Sequence, residues 1–481
     1  MSRLLLAAPG ALVSLLLAAP ALLAQQGETQ CTLNQQGRPT TRLSYRRAQS
    51  GAEDLFVGGG ALVECPARGI TLSSDSAEYY GDRGVWYLIG TVRYREPRLS
   101  LDSRRLTYWM AEERLVAEGN VVSRLPSGTT MRGPQAEYFR AVPGVRARAR
   151  MIAPGRPRFE LVQTDSAGEP QEPVQLIADR VVMEGDSLVY ARGQVEITRP
   201  DVFARGDSAV IDSGREWARL MRDPSIEGRA EEPFTLSGDV IDLFSTNRSL
   251  RRVLSVGTAV IESEDLDLRS DTIDLRLADD KLQRAHAWGP SRARAISQGS
   301  DILADSLDVL LPDQRLTEVR AIGGAFAEST PDTSLFRTEE RDWLRGDSLI
   351  AWFDTIAAPV ARAVPVDTTP PGARAADTVR TSQLRELVAV GDARSFYQIA
   401  PEDTSEVRPS VNYVRGREIL VNFREGQVRR VVVTGKTAGV LIQPGVVGEE
   451  RPDAGQGGAP TLPPPQSAVR PPGAGRRERA P

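Results

Sequence analysis

One pattern of apolar, small and polar positions organises the chain, and it is clearest in residues 268–275, Leu-Arg-Ser-Asp-Thr-Ile-Asp-Leu. An apolar residue stands three places before an Asp, and a small residue stands just before it. Apolar residues follow two and four places after. With some decay the pattern recurs ten times, at intervals of about 30 residues, within the usual range of structural repeats. The central acids are Asp75, Asp102, Asp179, Asp207, Asp239, Asp271, Asp305 and Asp347, and two further copies carry Pro134 and Arg417 instead. Just before the centre stand Ser74, Gly133, Ala178, Gly206, Gly238, Ser270, Ala304, Gly346 and Gly416; Leu101 is the exception. The same copy places Arg104 where an apolar residue is expected, then resumes with Leu106.

Apolar residues two apart share one face of a strand. The apolar position before the centre lies an odd number of residues from those after it, so the face switches at the small-Asp pair. Such a switch requires a bulge or corner. Gly or Ala lets the backbone bend there, and Asp can accept hydrogen bonds from amides a residue or two on. The acids therefore read as corner formers, too regular to be a catalytic pair.

A second signal follows most centres, as in Gly119-Asn120, Gly193-Gln194, Gly257-Thr258, Gly323-Gly324 and Gly391-Asp392. Each separates two alternating runs, such as Leu188/Tyr190 and Val195/Ile197, and reads as a tight turn or bulge between strands. Each unit then holds about three short strands. So small a unit cannot bury its apolar face alone, so neighbours must stack. The expected fold is all-β, an elongated repeat array.

The flanks differ from the array. Residues 4–23 form an apolar run after Arg3, ending at Ala24. This matches a secretory signal peptide spanning residues 1–24, with an uncleaved inner-membrane anchor as the alternative. Residues 25–64 read as a polar lead-in whose only strand hint is Phe56-Val57. The array occupies residues 65–357 and 384–443, with a long loop at 142–173 and a strand hint at 159–162. Residues 358–383 read as a mobile insertion, and residues 444–481, rich in Pro and Gly, as a disordered tail.

Composition narrows the chemistry. The 481 residues include 60 basic and 64 acidic ones, for a formal charge of -4. That balance, without a long basic block, argues against nucleic acid as a partner. His286 is the only histidine, which leaves little room for histidine catalysis or metal binding. The sequence carries no P-loop, G-x-G-x-x-G, G-x-S-x-G, H-E-x-x-H or C-x-x-C motif, so no enzyme activity and no cofactor are expected. Acidic clusters at residues 262–265 and 279–280 read as solvated turns. Cys31 and Cys65 can form one disulfide in an exported chain or remain two thiols.

The recurring small-Asp-x-apolar-x-apolar pattern is followed by Ala-Glu-Gly-Asn-Val (residues 117–121) and Ala-Arg-Gly-Gln-Val-Glu-Ile (residues 191–197). Together they resemble the OstA-like, LptA-type family of periplasmic lipopolysaccharide-transport proteins, over residues 65–443. The resemblance implies an open, V-shaped β-jellyroll of two antiparallel sheets whose apolar trough carries the acyl chains of lipopolysaccharide. It also implies end-to-end strand addition to other Lpt-type envelope proteins, in the periplasm. The chain is longer than a single domain of that type and leaves no room for an outer-membrane barrel after the repeats, so the expected form is a soluble bridge. Within that reading Ile241, Leu243, Ile273, Leu275, Leu307 and Val309, equivalent positions of three consecutive units, are the candidate lipid-groove residues. Two other readings stay open: a β-repeat envelope scaffold or adhesin, and a β-helical polysaccharide-active enzyme.

Overall fold

The computed structural model describes residues 31–34, 41–164, 170–200, 202–229, 233–247, 249–263, 266–279, 281–297, 299–331, 336–359, 378–400, 408–424 and 427–443. The described chain is all-β: 30 strands joined by antiparallel pairing. Beyond strands it holds two single-turn 3-10 stretches, Pro66–Arg68 and Pro312–Gln314. The apolar run of residues 4–23 and the tail 444–481 lie outside the described residues.

Pairing is sequential and divided. The strand Asp267–Ala278 pairs with Ser249–Ser263 on one side and Lys281–Ser297 on the other. On the first side its register breaks between Val256 and Ala259, so Gly257 and Thr258 together oppose Asp271 alone. Two residues against one is a β-bulge, which bends the strand. The same break sets Gly193-Gln194 against Asp207 and Gly323-Gly324 against Asp347. Aligned bulges crease the array into two limbs, here called the upper sheet (containing Ile273 and Leu307) and the lower sheet (containing Leu268 and Ile302). Each long strand therefore serves both sheets, and a repeat unit is two bent strands rather than three short ones. The crease also explains the parity switch: Leu268 and Ile273, an odd number apart, are both fully buried between the sheets.

Glycine is required at the bulge. Gly257 and Thr258 adopt φ of 78° and 45°, and a Cβ on Gly257 would stand 2.2 Å from the Asp239 carboxylate. Gly193 meets Asp179 and Gly323 meets Asp305 in the same way. Most corner acids thus pack on the bulge glycine of the next strand; Asp207 instead meets Arg222, whose guanidinium lies 3.1 Å from its carboxylate. Asp75 Oδ2 accepts from the Thr91 amide at 2.9 Å, and Asp271 Oδ2 from the Ser291 amide at 2.6 Å. The acids bond across strands, not to amides a residue or two on, because the bulge aims the neighbour's N–H groups at them.

The second copy requires a correction. Its centre is Arg104, not Asp102: Gly90 and Thr91 oppose Arg104, and Gly119 packs on the Arg104 side chain. Moving the centre two places makes Ser103 the small residue and Leu106 and Tyr108 the apolar pair, which removes both exceptions noted in the sequence. Asp102 instead pairs with Arg95 at 2.6 Å and Arg124 at 3.5 Å.

Two supposed loops are also strands. Residues 25–64 include Thr32–Leu33, Arg42–Arg47, Glu53–Gly58 and Ala61–Cys65, so the array begins before residue 65. Residues 142–173 include Arg150–Pro154, Arg158–Thr164 and the start of Pro170–Ile177. There Gly155 packs on Pro134, as the other bulge glycines pack on Asp. Both segments are polar on their outer positions, which hid the inner alternation. At residues 358–383, strands reach Pro359 and resume at Thr378; residues 360–377 lie outside the described set. Residues 425 and 426 lie outside it too, although Arg424 and Gln427 pair on either side.

Candidate functional site

The inner faces of the two sheets meet differently along the chain. Near the N-terminus they are filled. Tyr94, Tyr108, Phe159, Leu72, Leu101 and Met131 are among the largest fully buried side chains. Ser123 of the lower sheet reaches Met151 Sδ of the upper at 3.7 Å. Away from the crease the sheets are tied by charge. Arg140 donates to Glu96 at 2.5 Å and to Glu113 at 2.7 Å. Arg68 joins Glu113 at 2.8 Å, and the Tyr138 and Tyr108 hydroxyls donate to Glu96 and Glu113. The Glu96 side chain is only 4% exposed. Burial pushes the pKa values of Tyr94, Tyr138 and Tyr108 up, with the adjacent Glu96 or Glu113 adding to the rise. All three stay neutral.

Toward the C-terminus the inner positions shrink. Ala285, Ala287, Ala293, Ala295, Ala304, Ala321, Ala325 and Ala351 are buried there. Between the sheets lies a cavity of about 650 Å³. Its interior is lined by Leu268, Ala285, Ala295, Val309, Ala321, Leu344 and Ala351. Both lips are mixed: the upper carries Leu311, Leu316, Phe353 and Leu384 beside Gln314, Arg315, Thr355 and Gln383, and the lower carries Ser263, Ser297, Ser329, Thr330 and Asp342 beside Leu266, Trp343 and Phe396. Asp342 Oδ1 accepts from the Gln398 amide at 2.9 Å. Burial raises the Asp342 pKa, partly offset by the Gln398 hydrogen bonds.

The six groove candidates fall mostly short of this cavity. Ile241, Ile273, Leu275 and Leu307 are fully buried in the core, and Leu243 is half-buried against it. Only Val309 of the six lines the cavity. The reason is geometric. The equivalent places after the next corner, Leu349 and Ala351, do line the cavity, as do Leu311 and Phe353 farther out, so the space opens farther along the array than most of the candidates stand. The alanine run that accompanies it was readable in the sequence. The Arg140 tie had no local signal.

Cys31 and Cys65 are joined by a disulfide. His286 stands between Asp274 and Asp308 on neighbouring strands, its ring stacked on Trp288. Of the acidic clusters, residues 264, 265 and 280 lie outside the described set. No protein-family model matches this chain, and no curated protein matches it.

Proposed function

We propose that this chain is a lipid-binding protein of the cell envelope that holds acyl chains between its sheets and passes lipopolysaccharide toward the outer membrane. The apolar cavity of about 650 Å³ carries this reading. A space of that size and lining suits a ligand with few polar atoms. Polar side chains on both lips, Arg315 among them, give a headgroup a place to leave the apolar interior. The disulfide accords with an oxidising compartment such as the periplasm, reached through the apolar N-terminal run as a signal peptide or an anchor.

The two ends of the array suit end-to-end assembly unequally. At the N-terminal end, Arg42–Arg47 carries three arginines and Thr32–Leu33 is two residues long; charged or very short edges resist pairing. At the C-terminal end, Gln427–Thr434 and Ala438–Ile442 each pair only with Ser410–Arg424 among the described residues. Strand addition by another Lpt-type protein would use that end.

Photo-crosslinking residues at Leu311 and Leu384 test the reading. Both should trap lipopolysaccharide in cells, and the same label at the outward, half-exposed Ile322 should not. Folded protein that traps no lipid at either lip position would move the conclusion to a structural scaffold.

A further inference from the structure

We propose that the outward face of the lower sheet, at its C-terminal end, docks on an anionic lipid bilayer. Two adjacent cross-strand rows carry this. In the first, Trp343 pairs with Phe396, and Phe396 with Tyr413. Their side chains alternate with the inward Leu344, Ser395 and Val414. Trp343 and Phe396 stack with ring centres 6.1 Å apart. The next strand sets Val440 opposite Tyr413 and Ile442 opposite Val411, and both are more than half exposed.

In the second row Arg345 pairs with Arg394, and Arg394 with Arg415. Arg394 has a carboxylate partner, Asp392, at 2.8 Å. Arg345 lies 6.0 Å over the Trp343 ring, and among the described residues neither Arg345 nor Arg415 has a carboxylate within ion-pair distance. On the outer face of the upper sheet arginine meets aspartate across strands, as in Arg219–Asp242, Arg252–Asp274 and Arg284–Asp308. Like charges side by side on neighbouring strands repel, so this row calls for anions from outside the chain. Aromatic rings beside arginines, continuous with exposed aliphatic side chains, suit a headgroup layer rather than a soluble polyanion. Trp343 and Phe396 also border the lower rim of the cavity, whereas Arg345, Arg394, Arg415, Val440 and Ile442 lie outside its lining.

Co-sedimentation of the full chain with vesicles tests this. The protein should pellet with phosphatidylcholine vesicles containing phosphatidylglycerol, less so as salt rises, and not with phosphatidylcholine alone. Each Arg→Gln change at 345, 394 or 415 should weaken binding about fivefold, whereas a triple Arg→Lys variant should keep it. V440S/I442S should weaken vesicle binding and leave retention on heparin unchanged. The cavity-filling Ala351→Phe should bind vesicles normally, separating this face from the lipid site. Failure to pellet with anionic vesicles would overturn the proposal. So would equal binding by the folded triple Gln variant, or vesicle binding indifferent to V440S/I442S, which would mark a soluble polyanion as the partner.

Discussion

The first third of the array and its last third are built from the same bent strands, yet one is filled and the other holds a cavity. The difference lies in volume and in one charged tie. Inner positions near the N-terminus hold Tyr94, Tyr108, Tyr138 and Phe159; their counterparts near the C-terminus include Ala295, Ala321 and Ala351. Sheets held at a common crease cannot close over alanines as they close over tyrosines, because protein interiors fill to a nearly constant density. Arg140 then locks the filled end by bonding Glu96 and Glu113 at once. Repetition supplies the frame, and side-chain size decides whether the frame is solid or hollow.

Removing the tie should have the largest effect. Arg140→Ala leaves the buried Glu96 without its cation, while Glu113 keeps Arg68, and breaking a buried pair costs about 3–5 kcal/mol. Urea unfolding would show it; a change under about 1 kcal/mol would mean packing alone closes the N-terminal end. Filling the two regions should separate them next. Ala136→Leu, in the filled end, should cost about 1–3 kcal/mol by overpacking. Ala351→Leu should cost clearly less and reduce lipid binding. Equal costs in denaturant titrations would erase the distinction between the ends.

The corners, common to both regions, should respond modestly. Asp271→Ala loses the bond from the Ser291 amide, about 1 kcal/mol, with lipid binding preserved. Asp102→Ala, which removes only partly exposed ion pairs, should cost less still. Matched thermal melts would compare them, and a larger loss for Asp102 would restore it as a corner.

The smallest effect belongs to Asp342 on the cavity lip. Burial raises its folded-state pKa above the ordinary aspartate value. In the window between those two values the folded state binds more protons than the unfolded state, so this group's contribution to stability falls as pH rises. Asp342→Asn keeps an oxygen for the Gln398 amide and removes the charge. It should be slightly more stable than the parent at neutral pH, with the gap closing as pH falls through the folded pKa. A gap that widens on acidification would reverse the sign.

Much of the frame was legible in sequence alone. The switch of apolar parity at Ser270-Asp271 fixed where strands bend, and the glycines at 193, 257 and 323 marked the opposing bulges, because both are local backbone requirements. Alternation also told which residues point inward. The error at Asp102 arose because an acid two places away drew attention from Arg104, although Leu101, Ser103, Leu106 and Tyr108 fit the pattern around Arg104 without exception; pairing with Gly90-Thr91 shows Arg104 as the centre. Residues 150–154 were missed, and only 159–162 of the next strand were read, because Pro134 and Gly155 form a corner without an acid. The closed and hollow ends were decided by tertiary structure. Whether inner side chains meet depends on the summed volume of two sheets drawn from distant residues, and Arg140 finds Glu96 44 positions away. A strand's sequence records which way a residue faces, but not how far off the opposite wall stands.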